Sequence, residues 1–281
     1  MKTDFKTVLL KCICGSKNFC DVFFYNEPHK LEIRYQLTKE QPYRRQVKRC
    51  SQCGHYVSTH EMDTSELYKG DYAQSTYGDA EGIHRIFTKI ISLDPSKSDN
   101  HGRVERILKF AKEHFAKQPA LKPSILDVGL GLGVFLYAMK KAGWNCSGLE
   151  PDPEFVKHAK TEIGVEAIQE DFMDLRANKK YDVITFNKVL EHVLDPVAML
   201  AKSRDYLKTN GFVYVELPDG EMAVRDGKDR EEFAIDHHHI FSLVSFAILC
   251  HRADFLVEVI ERLQEPSTKY TLRAFLTPNL L

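Results

Sequence analysis

Acidic residues stand at the ends of short apolar runs in this chain, and a glycine cluster follows the first of them. Ser124-Ile125-Leu126-Asp127-Val128 leads directly into Gly129-Leu130-Gly131-Leu132-Gly133. Glycines at a strand-to-helix turn let the backbone approach a ligand closely. The spacing is G-x-G-x-G with Val134 next, whereas dinucleotide-binding turns use G-x-G-x-x-G. Asp127 is a poor neighbour for a pyrophosphate and suits a cationic ligand group. Glu150 ends the second run, where a carboxylate can accept two hydrogen bonds from a ribose diol. That feature is shared by several nucleotide cofactors and does not discriminate between them. After a third run, Asp171 offers an acceptor for an adenine amino group, and Phe172 a ring to cover the base. The fourth run ends in Phe186-Asn187 and continues as Lys188-Val189-Leu190-Glu191-His192-Val193-Leu194-Asp195-Pro196.

Cysteines carry a second kind of chemistry. Five of the seven lie before residue 62, four of them in two tight pairs, Cys12/Cys14 and Cys50/Cys53. In an intracellular protein such spacing favours metal over disulfide. Four thiolates would make a tetrahedral, closed and therefore structural Zn2+ site. The first half, C-x-C, is shorter than the usual C-x-x-C, so Cys20, His55 and His60 remain alternatives to Cys12. The competing reading is a set of reduced, metal-free cysteines. Cys146 and Cys250 fall in regular elements and read as small buried hydrophobes. A third group is histidine: His192, and the run Asp236-His237-His238-His239. An imidazole at a strand's carboxyl edge can take a proton near neutral pH. Three consecutive histidines rarely converge on one ion, because neighbours in a regular element point different ways.

The elements behind these residues follow from periodicity. Strands are expected at 22–25, 31–35, 124–128, 145–149, 165–169, 181–186, 212–217, 255–262 and 269–276. Helices are expected around 104–111 and at 134–142, 153–163, 196–207 and 242–252, with Gly143 and Gly164 as stop signals and a turn at Asn210-Gly211. Strands alternating with helices imply a parallel sheet covered on both faces. The last two strands are separated by a turn around Pro266, too short for a parallel crossover, so that pair is expected to be antiparallel. Three segments result: residues 1–62, too small for a large core and needing a staple; 63–100, a polar connector with scattered aromatics (Tyr68, Tyr72, Tyr77, Phe87), able to cover a site; and 101–281, the α/β domain.

The chain has 281 residues, 43% hydrophobic and 28% charged, with a formal net charge of -1. No basic field draws it to nucleic acid or to an anionic membrane, and the local stretch Lys39, Arg44, Arg45, Lys48, Arg49 reads as a solvated face. No apolar run is long enough to span a bilayer, and the N-terminus does not read as a secretory signal. A cytoplasmic protein is expected.

Ile125 to Gly133, Gly148-Leu149-Glu150, Glu170-Asp171-Phe172 and Val189 to Pro196, in that order, resemble the successive motifs of class I S-adenosylmethionine (SAM)-dependent methyltransferases. The resemblance covers roughly residues 101–276; Leu130 stands where the family often has Cys or Ala. It implies a Rossmann-like α/β fold with a seven-stranded, mostly parallel sheet, one strand antiparallel. It also implies a SAM site built from Asp127, Gly129, Gly131, Gly133, Glu150, Asp171, Phe172 and Asn187. The cysteine-rich segment is similar to zinc ribbons that precede some members, including sugar-modifying ones. Family position favours His237 over His192 as a general base. The expected reaction is methyl transfer to a small-molecule acceptor, with a sugar or sugar nucleotide as the class that the cysteine-rich segment suggests by resemblance. The alternatives are a non-catalytic SAM-binding module and a nucleotide-dependent oxidoreductase.

Overall fold

The computed structural model describes residues 11–28, 43–60, 77–117, 122–176 and 178–279. The strand expected at 31–35, and Lys39, Tyr68 and Tyr72, lie outside the described residues. The central sheet has seven strands: β4 (Ser124–Val128), β5 (Asn145–Leu149), β6 (Glu166–Ile168), β7 (Tyr181–Asn187), β8 (Leu207–Pro218), β10 (Phe255–Gln264) and β11 (Tyr270–Pro278). Their spatial order is β10-β11-β8-β7-β4-β5-β6. β11 runs antiparallel to both neighbours, and the other pairs are parallel. The short connection after β10 forces that reversal, as its length predicts.

The inner strands are buried on both faces, so they read as continuous apolar runs. Ile125, Val183, Phe212 and Tyr214 face one core layer; Leu126, Ile184, Val213 and Val215 face the other. The first layer is covered by α1 (Ala80–Ile91), α2 (Asp99–His114), α3 (Val134–Lys141) and α4 (Pro153–His158), the second by α5 (Pro196–Lys202) and α6 (Leu243–Arg252). Burying each such side chain contributes about 1.5–3 kcal/mol. Local chemistry sets the helix starts. Asp152 and Asp195 cap α4 and α5, each followed by a proline at the first helical position. Ser242 and Ser245 form a reciprocal capping box on α6.

Two expected helices change pitch before they end. Helix 153–163 is α-helical only to His158, then widens into a π turn over Ala159–Ile163, closed at Gly164. Lys140 Nζ donates to the carbonyls of Ile163 and Gly164 there, at 2.8 and 2.9 Å. Helix 196–207 tightens into a 3-10 turn over Ser203–Tyr206. The turn expected at Asn210-Gly211 is a break in register: Tyr181 pairs with Leu207 but Val183 with Phe212.

A second, antiparallel sheet lies at the N-terminal side, in the order β1-β2-β3-β9: β1 (Phe19–Tyr25), β2 (Arg45–Cys50), β3 (Tyr56–His60) and β9 (His239–Ile240). Its fourth strand comes from the histidine run between β8 and α6. Its small core likewise mixes Tyr25, Tyr43, Val47 and Tyr56 with Ala223, Phe233, Ile235 and Ile240. Among the described residues no helix is long and apolar enough to cross a membrane.

Candidate active site

A cleft of about 640 Å³ opens at the carboxyl ends of β4, β5 and β7, where ligands bind in open α/β sheets. Gly129, Gly131, Glu150, Asp171, Phe172 and His192 line it; Asp127, Gly133, Asn187 and His237 are not among its lining residues. The three glycines of the turn have φ of 71°, 49° and 69°. They serve different ends. A Cβ on Gly129 would meet Val189 Cγ2 at 2.8 Å, and one on Gly133 would overlap Ile163, so these two permit packing. A Cβ on Gly131 would meet nothing within 4 Å, so this glycine leaves open space at the cleft.

Glu150 Oε2 accepts from Gly131 N at 3.1 Å and Oε1 from Asp152 N at 3.2 Å, which ties the loop to the end of β5. Asp127 is under the floor of the cleft. Its Oδ1 accepts from Thr185 Oγ1 at 2.6 Å and Asn187 Nδ2 at 2.8 Å. Burial pushes its carboxyl up to about 7, against the opposite pull of Thr185, Arg103 and Asn187. Asn187 Oδ1 is buried without a partner, an acceptor waiting for a donor. Phe172 is buried and packs edge-on against Phe186; Asp171 caps the turn beneath it through Met173 N. A cationic amino group near Asn187, a diol at Glu150 and a base against Phe172 are the groups this wall suits.

The opposite wall is carried by the segment after β7. Lys188, Val189, His192, Val193, Leu194, Met199 and Asp236 line it. His192 Nδ1 lies 3.0 Å from the Asp236 carbonyl oxygen and 3.5 Å from its carboxylate. Donation from Nδ1 leaves Nε2 as the acceptor. His237 packs edge-on against His192, ring centroids 4.8 Å apart, with its Nδ1 2.9 Å from the Glu232 carbonyl oxygen. Burial holds the His237 imidazole down at about 4, so it is neutral near pH 7. The three consecutive histidines diverge: His239 turns to His55, not to His237. Instead Glu191, His192 and His237 gather, with one ligating atom of each within 4.8 Å of the others. Glu191 is fully buried, its carboxylate oxygens unpartnered and its carboxyl raised by burial. Its main-chain oxygen receives the N–H groups of His238 and His239, which fastens the histidine run to the cleft wall.

The sequence motifs left out the roles of Lys188 and Asp236. Asp236 reaches His192 across 44 residues, and no spacing rule links them. Lys188 has φ 63°, rare for a side chain with a Cβ; nothing in its surroundings along the chain signals this. Tyr77, at the end of the expected connector, also lines the cleft.

At the far side of the second sheet, Cys12, Cys14, Cys50 and Cys53 bring their sulfurs within 4.8 Å of one another. Cys12 Sγ is 3.4 Å from Cys53 Sγ, and Cys14 Sγ 3.7 Å from Cys50 Sγ. None is in a disulfide. Four sulfurs at about 2.3 Å from one zinc ion in a tetrahedron stand about 3.8 Å apart, so the set fits such an ion closely. Of the alternatives to Cys12, Cys20 points to the Arg49 carbonyl and His55 to Ser245 and His239.

A family model described as a methyltransferase domain matches residues 84–259. The ubiquinone biosynthesis O-methyltransferase of Actinobacillus pleuropneumoniae serotype 7 is 32% identical over 165 residues, which is 54% of this chain and 64% of that protein. The chain thus spans a little under two thirds of the curated relative's length. The fold matches magnesium protoporphyrin IX methyltransferase from Synechocystis PCC 6803 with bound S-adenosylhomocysteine (TM-score 0.56, 13% identity, 77% of this chain and 100% of that one). It also matches 1,6-didemethyltoxoflavin-N1-methyltransferase from Burkholderia thailandensis (TM-score 0.54, 15% identity, 81% and 96%). Because the family match takes in well over half of the 281 residues, and the motifs fall on the strand ends where the fold requires them, this chain belongs to the class I SAM-dependent methyltransferases.

Proposed function

We propose that the protein methylates a hydroxyl oxygen of a small organic acceptor, with His192 as the group that takes the acceptor's proton. The observation that carries this reading is the His192–Asp236 pair on the cleft wall facing the glycine loop. When bound, SAM supplies a methyl group made electrophilic by its sulfonium. The residues do the rest. Gly131 gives the backbone room, Glu150 takes the ribose hydroxyls, and Asn187 with Asp127 holds the amino end. Asp171 and Phe172 enclose the base. Aligning donor and acceptor in such a closed cleft removes much of the barrier. A hydroxyl needs to lose its proton as the new bond forms, and an imidazole with Nδ1 fixed and Nε2 free is built for that. His237, which family position favours, is better read as the packing partner that holds the His192 ring: it is not among the lining residues and holds a proton poorly.

The curated relatives are named as O-methyltransferases, which supports oxygen as the acceptor atom; the sugar reading rests on the cysteine segment alone. That segment is proposed to hold one structural Zn2+ through Cys12, Cys14, Cys50 and Cys53 and to form a unit with the histidine run rather than a free appendage. The test is labelled-methyl transfer from SAM to a panel of hydroxylated acceptors. His192→Asn should lower the rate about 10²–10⁴-fold with S-adenosylhomocysteine affinity unchanged. Equal rates for the variant and the parent across pH would remove His192 from the reaction.

A further inference from the structure

Lys188 is the feature of the cleft that methyl-donor binding does not account for. It follows the last residue of β7, takes the left-handed backbone conformation with φ of 63°, and lines the cleft together with His192. Its backbone N–H is held by the Glu216 carbonyl at 3.2 Å, which fixes the turn. Among the described residues its ammonium donates one hydrogen bond, to Thr271 Oγ1 at 3.0 Å. An ammonium has three donors, and a neutral hydroxyl returns little of the hydration that a half-buried one gives up. Burial accordingly lowers its pKa, although Glu216 and Glu191 pull the other way.

Neither acid forms an ion pair with it. Glu216 is fully buried and already shared: Arg103 is 2.5 Å from Oε2 and Arg273 2.9 Å from Oε1. Arg273 also pairs with Glu265. Glu191 makes no ion pair with Lys188 within 4.0 Å, and burial drives its carboxyl toward the neutral form. Glu216 and Glu265 are thus engaged by Arg103 and Arg273, and Lys188 shares neither ion pair. Asp236, also on the lining, is engaged with His192. The other acids of the lining, Glu150, Asp152, Asp171 and Asp195, accept from backbone N–H groups of their own or adjoining segments. Among the described residues, the Lys188 ammonium therefore stands at the cleft lining with one neutral hydrogen-bond partner and no ion pair.

We infer that Lys188 is the acceptor-recognition residue, and that its ammonium receives an anionic oxygen of the acceptor, a carboxylate or an ionised hydroxyl. The inference rests on the methyl-transfer reading and names the substrate class within it: acidic small molecules. A charge-assisted bond in a partly desolvated site discriminates strongly between an anion and its neutral analogue.

The probes are matched pairs bound to the complex with S-adenosylhomocysteine and measured by calorimetry. 3,4-Dihydroxybenzoate against catechol, and glucuronate against glucose, test a carboxylate. 4-Nitrocatechol against catechol at pH 8 tests an ionised hydroxyl. The parent protein should prefer the anionic member of at least one pair about 10-fold or more. Lys188→Met should bring that ratio to about 1 and Lys188→Arg should retain part of it, both with unchanged S-adenosylhomocysteine affinity. If the substitutions compromise folding, chloride competition on the parent protein replaces them: the anionic probe should weaken with salt and its neutral partner should not. Absence of any anionic preference in the parent, or a preference that survives Lys188→Met, overturns the assignment. Failure of S-adenosylhomocysteine to bind the parent protein would instead strike the methyl-transfer reading itself.

Discussion

At the residue scale, the carboxylates of the donor wall differ in what holds them. Glu150 is fixed by two backbone N–H groups yet lines the cleft. Asp127 is beneath it, nearly inaccessible, with its carboxyl raised to about 7. The sign of the resulting pH dependence follows. Between the ordinary value of 3.8 and about 7, the folded protein keeps a proton that the unfolded chain has released. Folded stability therefore falls as pH rises through that window. The full cost is at most about 4 kcal/mol, at 1.36 kcal/mol per pH unit. Asp127→Asn keeps an oxygen for Thr185 and Asn187 and removes the buried charge. Its ligand-free melting temperature should exceed the parent's at pH 8, and the gap should narrow toward pH 4. Its SAM affinity should drop, because the donor's cationic end loses its counter-charge. A variant less stable than the parent at pH 8 would mean that the carboxylate is well compensated in the free protein. Glu150→Ala should weaken SAM by about 1.5–3 kcal/mol for each ribose bond lost, read by calorimetry; unchanged affinity would take Glu150 out of the site.

At the scale of elements, the glycine turn between β4 and α3 separates two functions that its sequence runs together. Gly133 is where α3 packs on the π turn, and Gly131 is where the backbone leaves room. Gly133→Ala should cost about 2–5 kcal/mol of stability, summing left-handed strain with the overlap on Ile163. Gly131→Ala should cost only the strain, about 1–2 kcal/mol, while its methyl group projects into the donor's space. Denaturant unfolding paired with SAM calorimetry separates the two. The expected pattern is a folded Gly131→Ala with poor SAM binding and a destabilised Gly133→Ala. If Gly131→Ala binds SAM normally, the loop is not the cradle.

At the scale of the molecule, the N-terminal sheet and the methyltransferase sheet meet at the histidine run. β9 pairs with β3, His55 bridges Ser245 Oγ at 3.1 Å and His239 Nδ1 at 3.0 Å, and Ser242 Oγ donates to the Cys53 carbonyl at 2.5 Å. Arg252 of α6 reaches the Ile13 carbonyl from the other side. The cysteine cluster thus stands behind the wall that carries Asp236 and His237. Elemental analysis of the parent should find one zinc per chain, and a Cys50→Ser, Cys53→Ser double variant should lose it. Its SAM affinity should survive, since none of the four clustered cysteines lines the cleft. Its acceptor turnover should fall about 10-fold or more, because small displacements of a catalytic wall are costly. Full zinc in the double variant would remove the metal reading, and full turnover without zinc would remove the coupling.

From residue 101 onward, the alternation of strands and helices, the antiparallel last pair and the gathering of Gly129, Gly131, Glu150, Asp171 and Phe172 at one cleft were legible in the sequence, because each depends on neighbours along the chain. Apolar runs bury on both faces, a glycine turn follows an acid, and a six-residue connection cannot cross over. The clustering of the cysteine pairs was legible too, since metal chemistry limits which residues can share a tetrahedron, although only the fold brings Cys12, rather than Cys20, His55 or His60, into the cluster. Tertiary structure decided the rest. Two-residue β9 has no periodicity to read, so the union of the small sheet with the histidine run was invisible. His192 gains Asp236 across 44 residues and Lys188 gains Thr271 across 83. Whether a histidine near a strand end lines the cleft, as His192 does, or supports its neighbour, as His237 does, depends on side-chain packing between distant segments, and that information exists only once the chain has closed on itself.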